Sequence, residues 1–258
     1  MDYDTLSTSE IDGVGVITLN RPEVMNALNK QMRAELTHAL EDIGSRARVL
    51  VLTGAGRAFC SGQDLGDGGN ATQIDLERTL REEYEPMLRA IYDAPVPVIA
   101  AVNGSAAGAG ANLALAADVV IAAESASFIQ AFTRIGLIPD AGGTWFLPRQ
   151  IGFARAMGTM LFAAKITARQ AEDWGMIWEA VPDTAFLLHW QQRARALADG
   201  PTVAYRNIRR ALRKSLANTL DGQLQLEAQL QAEAGKTRDF REGVLAFLEK
   251  RPAQFEGR

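Results

Sequence analysis

The sequence predicts an α/β fold with mainly parallel strands, followed by a helical C-terminal region. Short apolar runs that end near a glycine, "VLVLTG" (49–54) and "VIAAVNG" (98–104), alternate with segments of helical periodicity. This alternation is typical of parallel sheets covered by helices. The strand-like runs stop near residue 200. We therefore expect an α/β core over residues 1–200 and a helical region over residues 201–258.

Local signals predict the first elements. The Asp12-Gly13 pair inside "IDGVGVITLN" (11–20) predicts the turn of a β-hairpin. Apolar residues at helical spacing predict a helix over residues 29–43, with Asn29 as its N-cap. Those apolar residues are Met32, Leu36, Leu40 and Ile43.

The middle of the chain is predicted to alternate loops, helices and strands. Residues 61–72 are polar and rich in glycine, which predicts a mobile loop. Residues 74–92 are predicted to form a helix, and a helix of small residues follows at about 109–117, before the strand "DVVIAA" (118–123). The apolar stripe of the 74–92 helix consists of Leu76, Leu80, Tyr84, Leu88 and Ile91.

Three helices are predicted in the C-terminal region, over residues 201–217, 219–235 and 238–249. Pro201 opens the first of them and Gly235 ends the second. Their apolar faces are wide, so we expect this region to dock on the α/β core or on a neighbouring subunit.

The composition argues against several classes of function. The formal net charge of −4 argues against nucleic acids and anionic membranes as main partners. No apolar stretch approaches the roughly 18–20 residues of a membrane span. The single cysteine cannot form an intrachain disulfide, and the acidic N-terminus lacks the features of a signal peptide. We therefore expect a cytoplasmic protein.

Nucleophilic and metal chemistry have little support. A catalytic Cys60 would need a histidine, but His38 and His189 lie in predicted helices far along the chain, so Cys60 is interpreted as a small buried residue. Ser105 lacks the G-x-S-x-G context of a hydrolase nucleophile. The two histidines, without an acidic cluster at ligand spacing, argue against a metal site.

Two glycine-containing turns follow predicted strands and can present backbone N–H groups. "GSAAGAGAN" (104–112) lacks the G-x-G-x-x-G register of a dinucleotide site. It is either a plain tight turn or a place where N–H groups hold a developing oxyanion. "GRAFCSGQDL" (56–65) is a second such turn in the same predicted core. Together the two turns could supply two donors to one oxygen.

One acid, Asp140, lies in the otherwise uncharged stretch "GLIPDAGGTW" (136–145). One interpretation is an N-cap for a helix that begins near Gly142, because aspartate is a favoured cap. The other is a general acid/base, since an apolar setting raises the pKa of a carboxyl group towards a useful range. The residues alone leave both interpretations open.

Four ordered motifs resemble those of the enoyl-CoA hydratase/isomerase (crotonase) superfamily: "LNRPEVMNALN", "GAGRAFCSGQDL", "VNGSAAGAGANLALAADVVIA" and "GLIPDAGGTWFLPRQIG". The resemblance covers nearly the whole chain and is greatest to the branch of ring-1,2-epoxyphenylacetyl-CoA isomerases of aerobic phenylacetate breakdown. It implies a crotonase-like spiral of β-β-α turns and a C-terminal helical region that forms trimers or a dimer of trimers. It also implies an acyl-CoA thioester as substrate, with no metal and no separate cofactor.

The resemblance further implies a set of site residues. The backbone N–H groups of Gln63 and Ala109 match the oxyanion hole that holds the thioester oxygen. Asp140 matches a catalytic aspartate of other branches, although the dehalogenase branch adds a histidine that has no counterpart here. The residues that match CoA-binding positions are Val24, Ser61, Asp64, Leu65 and Lys250. Lys250 matches a C-terminal lysine that in the family reaches a CoA phosphate, often across a subunit boundary.

Two positions depart from the pattern of the family's hydratases. Those enzymes activate water with two glutamates, and the matching positions carry Asn112 and Phe132, neither of which can act as a base. Asn112, Phe132 and Trp145 are expected to line the acyl pocket, although all three could equally be core residues.

The resemblance and its departures together predict an acyl-CoA isomerase. Such an enzyme converts a ring 1,2-epoxyphenylacetyl-CoA to an oxepin-CoA, shifts a 3-enoyl double bond to the 2-enoyl position, or does both. Two alternatives remain: a hydratase-type lyase acting on a branched or aromatic enoyl-CoA, and a non-catalytic family member that binds CoA or RNA. The negative net charge counts against RNA.

Overall fold

The computed structural model describes residues 2–66 and 75–258. Its strands are β1 (Leu6–Ile11), β2 (Val14–Leu19), β3 (Val49–Gly54), β4 (Ala58–Cys60), β5 (Val98–Val102), β6 (Ser105–Ala107), β7 (Val119–Ala123), β8 (Ser127–Ile129), β9 (Lys165–Thr167) and β10 (Glu179–Val181). Its α-helices are α1 (Lys30–Gly44), α2 (Leu76–Thr79), α3 (Glu85–Tyr92), α4 (Ala109–Leu115), α5 (Gly143–Phe162), α6 (Ala168–Asp173), α7 (Asp183–Ala198), α8 (Thr202–Ser215), α9 (Leu220–Ala234) and α10 (Arg238–Glu249). A π-helical turn, Leu80–Tyr84, joins α2 to α3.

The strands of the described ranges form two sheets. One has the order β1-β2-β3-β5-β7-β10 and the other the order β4-β6-β8-β9. β1 and β2 form the predicted antiparallel hairpin, in which Ile11 pairs with Val14 across the Asp12-Gly13 turn. Within the larger sheet every other pairing is parallel, and in the smaller sheet only β9 runs antiparallel to its neighbour β8. The predictions of a hairpin and of mainly parallel strands are confirmed.

The chain passes repeatedly from the larger sheet to the smaller one. β3 is followed by β4, β5 by β6 and β7 by β8, and each pair leads into a helical segment. This repeated strand-strand-helix unit is the expected crotonase-like spiral. Fully buried residues of both sheets, such as Leu52, Ile99 and Phe128, belong to one hydrophobic core. Because β4 and β6 are parallel neighbours, the turns that follow them lie at the same edge of the smaller sheet.

The predicted helices agree with the structure to within a few residues. The side-chain oxygen of Asn29 accepts a hydrogen bond from the N–H of Met32 at 2.8 Å, which confirms Asn29 as the N-cap of α1. The three C-terminal helices are present as α8, α9 and α10, and Gly235 directly follows α9. The division of the chain into two domains stays a prediction. None of the helices in the described ranges is long and apolar enough to cross a membrane.

The helix predicted over residues 74–92 has a more complex form. Residues 67–74, which include half of the loop predicted over residues 61–72, lie outside the described residues. From Leu76 onwards the chain is helical, but the turn at residues 80–84 is π-helical rather than α-helical. Because an α-helix has 3.6 residues per turn, residues repeated every four positions lie progressively further around its surface. A wider π turn reduces this change of direction. This is why Leu76, Leu80, Tyr84 and Leu88 can all line one cavity, whereas Ile91 packs in the core.

Candidate active site

A cavity of about 710 Å³ opens beside the start of α5. One wall is the helical segment that carries Leu80, Tyr84 and Leu88, and the opposite wall is the segment 137–142. Trp145 and Phe146 of α5 complete the lining. The surface is mainly apolar, and Asp140 lies within it. A mainly apolar cavity with few polar groups is the usual form of a small-molecule site.

A tight turn holds Asp140 at the cavity wall. The backbone carbonyl of Asp140 accepts a hydrogen bond from the N–H of Gly143 at 2.8 Å. The two central residues, Ala141 and Gly142, both have positive φ, at 46° and 80°. Two positive φ values are the mark of a type I′ turn, and a non-glycine residue rarely adopts this conformation. Such backbone conformations are concentrated at functional sites.

The Asp140 carboxyl group lies in a setting that disfavours its charge. Its Oδ1 atom is buried and has no hydrogen-bond partner within residues 2–66 and 75–258. Burial raises the pKa of Asp140 to about 6, and a hydrogen bond from its own backbone N–H offsets only part of this effect. The interpretation of Asp140 as a helix cap is wrong, because α5 has Gly142 at its N-cap position and no side chain caps it.

The side chain of Asn112 holds the backbone of Asp140 in place. Its side-chain N–H donates to the carbonyl of Asp140 at 2.8 Å, and its Oδ1 accepts from Gln130 at 2.8 Å. This approach requires a glycine at position 143, because a Cβ there would lie 2.4 Å from the Asn112 amide nitrogen. Asn112 is fully buried, and its amide is committed to these two contacts.

Phe132 is buried close to the turn that precedes α4. Its ring lies 3.7 Å from where a Cβ on Gly108 would be. Neither Phe132 nor Asn112 is among the residues that line the cavity, whereas Trp145 is. The assignment of all three residues to the acyl pocket stays a prediction.

The two turns proposed for an oxyanion hole lie against each other. A Cβ on Gly62 would lie 2.8 Å from the carbonyl oxygen of Ala107 and 3.4 Å from the backbone nitrogen of Ala109, so glycine permits this close approach. Gly62 also has a φ of 94°, which favours glycine. Among the residues that the structure describes, the N–H groups of Gln63 and Ala109 have no backbone hydrogen-bond partner. Neighbouring turns therefore present two uncommitted donors.

Comparison with known proteins decides the family. The sequence model of the enoyl-CoA hydratase/isomerase family matches residues 9–258. This chain belongs to the enoyl-CoA hydratase/isomerase family. It is 64% identical over all 258 residues, and over the whole of the relative, to a protein of Rhodobacter capsulatus named "Probable enoyl-CoA hydratase". It is 49% identical to 1,2-epoxyphenylacetyl-CoA isomerase of Escherichia coli K12, with 95% of this chain and 96% of the relative covered.

Solved structures of the enoyl-CoA hydratase/isomerase family share the fold. The crystal structure of enoyl-CoA hydratase from Bacillus anthracis matches 99% of this chain and 100% of its own, at 34% identity and a TM-score of 0.91. This chain is thus an acyl-CoA enzyme with a crotonase fold. The family alone does not distinguish hydration from isomerisation.

Four of the five residues predicted to bind CoA lie close together in the structure, namely Val24, Ser61, Asp64 and Leu65. Ser61 Oγ donates to the backbone carbonyl of Val24 at 3.2 Å. Asp64 forms an ion pair with Arg21 at 2.8 Å, and the adjacent Leu65 is half exposed. Lys250 lies apart, at the C-terminal end of α10. The CoA-binding roles of all five stay predictions, as does the contact of Lys250 across a subunit boundary.

The other reactive groups considered from the sequence have structural roles. Cys60 is fully buried, and burial raises its pKa to about 12, so the thiol is a poor nucleophile. His38 hydrogen-bonds to the Tyr3 hydroxyl at 2.8 Å, and His189 bonds to Glu179 at 2.8 Å. Neither histidine lies near Cys60 in a catalytic pair.

A buried polar cluster next to the cavity was not predicted from the sequence. Arg33 forms an ion pair with Glu83 at 2.6 Å, and the Arg33 side chain is only 3% exposed. The signal was available, because Arg33 lies three residues before Leu36 and seven before Leu40, on the apolar stripe of α1. A charged residue at a core position of an amphipathic helix is rarely buried without a partner.

Proposed function

We propose that this chain is an acyl-CoA isomerase in which Asp140 is the single acid/base. The observation that carries the proposal is the Asp140 carboxyl group, half-buried in a mainly apolar cavity, with its pKa raised to about 6 and with a buried Oδ1 that has no hydrogen-bond partner among the described residues. A group that titrates near neutral pH can both take up and release a proton during one turnover. No metal or separate cofactor takes part in the proposed reaction.

The proposed double-bond shift needs only one base. The Asp140 carboxylate removes a proton from C2 of a 3-enoyl-CoA, and the electrons of that C–H bond move into a dienolate. The thioester oxygen then carries negative charge, which the N–H groups of Gln63 and Ala109 stabilise. The protonated Asp140 returns the proton to C4, which gives the conjugated 2-enoyl-CoA. Atoms and charge balance without water.

An aryl epoxide is the second form of the proposed substrate. The relative of 49% identity is named 1,2-epoxyphenylacetyl-CoA isomerase. The cavity offers aromatic side chains in edge contact: the ring centroids of Tyr92 and Trp145 are 5.8 Å apart, and those of Trp145 and Phe146 are 5.0 Å apart. Such rings suit an aryl group. In this form Asp140 assists the opening of the epoxide during ring expansion to the isomeric oxepin.

A hydratase is the second candidate, because the relative of 64% identity carries that name. Adding water across a double bond requires a group that activates the water and a proton for the adjacent carbon. Asn112 cannot take a proton, and both of its polar atoms are already hydrogen-bonded. Phe132 has no polar atom. A hydratase would therefore have to perform both steps with Asp140.

The experiment that separates these functions is incubation of the protein with a 3-enoyl-CoA and, separately, with the matching 2-enoyl-CoA. Ultraviolet absorbance of the conjugated 2-enoyl thioester reports isomerisation, which leaves the mass unchanged, and mass spectrometry detects the added water of a hydrated thioester. Formation of the 2-enoyl isomer without a hydrated product supports the proposal. Rapid hydration of the 2-enoyl-CoA contradicts it in favour of the hydratase. Binding of CoA thioesters with no turnover of these substrates or of the aryl epoxide contradicts both.

A further inference from the structure

The side chain of Gln63 is the meeting point of a hydrogen-bond network. Its Oε1 atom accepts from the Tyr84 hydroxyl and from Arg33 Nη1, the latter at 3.2 Å. One side-chain oxygen of Gln63 thus accepts two hydrogen bonds. The backbone N–H of Gln63, in contrast, has no backbone partner in the described ranges. The network therefore acts on the residue that presents a proposed oxyanion donor.

The same network also holds the backbone on both sides of Gln63. Leu28 N–H donates to the carbonyl of Gly62 at 2.8 Å, and Asp64 N–H donates to the carbonyl of Leu28 at 3.2 Å. Arg33 Nη1 donates to that same Leu28 carbonyl at 2.5 Å. Arg33 therefore connects the Gln63 side chain to the segment that pairs with the Gln63 turn.

Arg33 is itself held rigidly. Its Nη2 lies 2.6 Å from Glu83 Oε2, and its guanidinium lies 5.0 Å from the centre of the Tyr84 ring. Removing one partner of a buried ion pair is strongly destabilising, because it leaves the other charge uncompensated. The Arg33–Glu83 ion pair thus fixes the position of the Arg33 side chain within the network.

The π-helical turn brings Tyr84 to this network. The N–H of Glu85 donates to the carbonyl of Leu80, five residues earlier. The helix is therefore wider than an α-helix over the turn that ends at Tyr84. Turns of this kind are rare and often lie at functional sites. Tyr84 is 3% exposed, and its hydroxyl donates to Gln63. Burial raises the pKa of the Tyr84 phenol above its usual value, which keeps it protonated as a donor.

We propose that Tyr84 and Arg33 are positioning residues that hold the backbone N–H of Gln63 in line with the thioester oxygen. The inference rests on the oxyanion role proposed above for Gln63. An N–H donor stabilises developing charge only when it is already aligned, and a supporting shell must hold it within about 0.5 Å. Because Tyr84 acts through the Gln63 side chain, its hydroxyl contributes to turnover without touching the substrate.

Two conservative variants test the role of the network kinetically. Tyr84→Phe removes the hydroxyl and keeps the ring, and Gln63→Met removes the acceptor while keeping the backbone N–H. We expect each variant to lower kcat by about tenfold with KM changed by less than about twofold, because the donor matters most in the transition state. The double variant should be no slower than the slower single variant, since both changes break the same hydrogen bond.

Tyr3→Phe is the matched control. It also removes a tyrosine hydroxyl that bonds to another side chain, here His38 at 2.8 Å, but Tyr3 does not line the cavity. Turnover and melting temperature of this variant should equal those of the wild type. Losses that multiply in the Tyr84→Phe/Gln63→Met double variant would overturn the inference, since Tyr84 would then act independently of Gln63.

Infrared spectroscopy of a bound thioester tests the alignment directly and does not depend on the reaction type. The probe is phenylacetyl-CoA with ¹³C at the thioester carbonyl, a saturated arylacetyl thioester. In the wild type the carbonyl band should shift to lower frequency on binding, and both variants should show a smaller shift. An unchanged shift in Tyr84→Phe overturns the inference and leaves the oxyanion hole standing. No shift in the wild type overturns the oxyanion hole and the inference with it.

Discussion

The amide of Asn112 donates a 2.8 Å hydrogen bond to the backbone carbonyl of Asp140. The sequence resemblance matches Asn112 to a water-activating glutamate of the family's hydratases. In this chain the residue at that position therefore supports the proposed acid instead of acting on water. Because this hydrogen bond is made to the backbone carbonyl of Asp140, its carboxyl group remains available to a substrate in the cavity. This arrangement is consistent with a site that relies on a single base.

Replacing Asp140 by asparagine should abolish most of the activity. Asparagine keeps the size of the side chain but cannot take a proton, so the isomerisation rate should fall by about 10²–10⁴. CoA affinity and fold should be unchanged, as checked by calorimetry and circular dichroism. Asp12→Asn, which changes an exposed acid of the β1–β2 turn, is the control and should keep full activity. Near-wild-type turnover in Asp140→Asn would mean that the base lies elsewhere.

The pH profile should report the ionisation of Asp140. Because the carboxylate is the base, kcat/KM should rise with pH and level off above the pKa of about 6. This limb should be absent from the residual activity of Asp140→Asn. A profile that is flat between about pH 5 and about pH 7, one unit either side of the pKa of about 6, would rule out this assignment.

The stability of the protein should depend on pH in the opposite direction. Folding raises the pKa of Asp140 from 3.8 to about 6, so the folded state binds the proton more tightly than the unfolded state. The free energy of unfolding of the wild type should therefore fall, relative to that of Asp140→Asn, as pH rises from about 4 to about 6. The loss should be about 1–2 kcal/mol, reduced by the partial exposure of the group. Urea unfolding of the two proteins across this range measures it, and parallel curves would contradict the burial effect.

Ala109 should tolerate glycine but not proline. Only proline lacks the N–H, and the loss of one oxyanion donor costs about 10²–10³ in turnover. Ala109 is the first residue of α4, where proline is compatible with a helix, so the fold should survive. Turnover and circular dichroism of both variants check this. A folded Ala109→Pro protein with full activity would exclude this N–H as a donor.

Trp145 should limit the size of the acyl group. Its side chain lines both the cavity that contains Asp140 and a second cleft of about 660 Å³. Trp145→Ala should join the two spaces and raise kcat/KM for long-chain relative to short-chain 3-enoyl-CoA. Trp178→Ala, which removes an exposed tryptophan that lines neither space, should leave that ratio unchanged. Equal ratios in the two variants would contradict the predicted role of Trp145.

The protein should associate into a trimer or a dimer of trimers. Its C-terminal helices expose large apolar side chains that a monomer leaves in water, among them Leu212, Leu216, Leu220, Phe240 and Phe247. Exposed apolar patches of this kind mark interaction surfaces. Light scattering at micromolar concentration should give a mass three or six times that of the chain. A monomer alone would contradict the prediction.

The sequence by itself determined several of the local elements and the family. The Asp12-Gly13 turn, the Asn29 cap and the apolar strands depend on residues that are close together in the chain, so local patterns were enough to predict them. The ordered motifs identified the family, and the lone acid at position 140 singled out a candidate base.

Only the tertiary structure decided how Asp140 and Gln63 are held. Asn112 and Asp140 meet through the packing of α4 against the start of α5, and Arg33, Gln63 and Tyr84 come from three separate segments. Hydrogen bonds between segments depend on where the sheets place the ends of those segments. A single π-helical turn changes the spacing of apolar residues too little to be predicted from the sequence. The raised pKa of Asp140 has the same origin, because desolvation depends on every element packed around a group rather than on its neighbours in the chain.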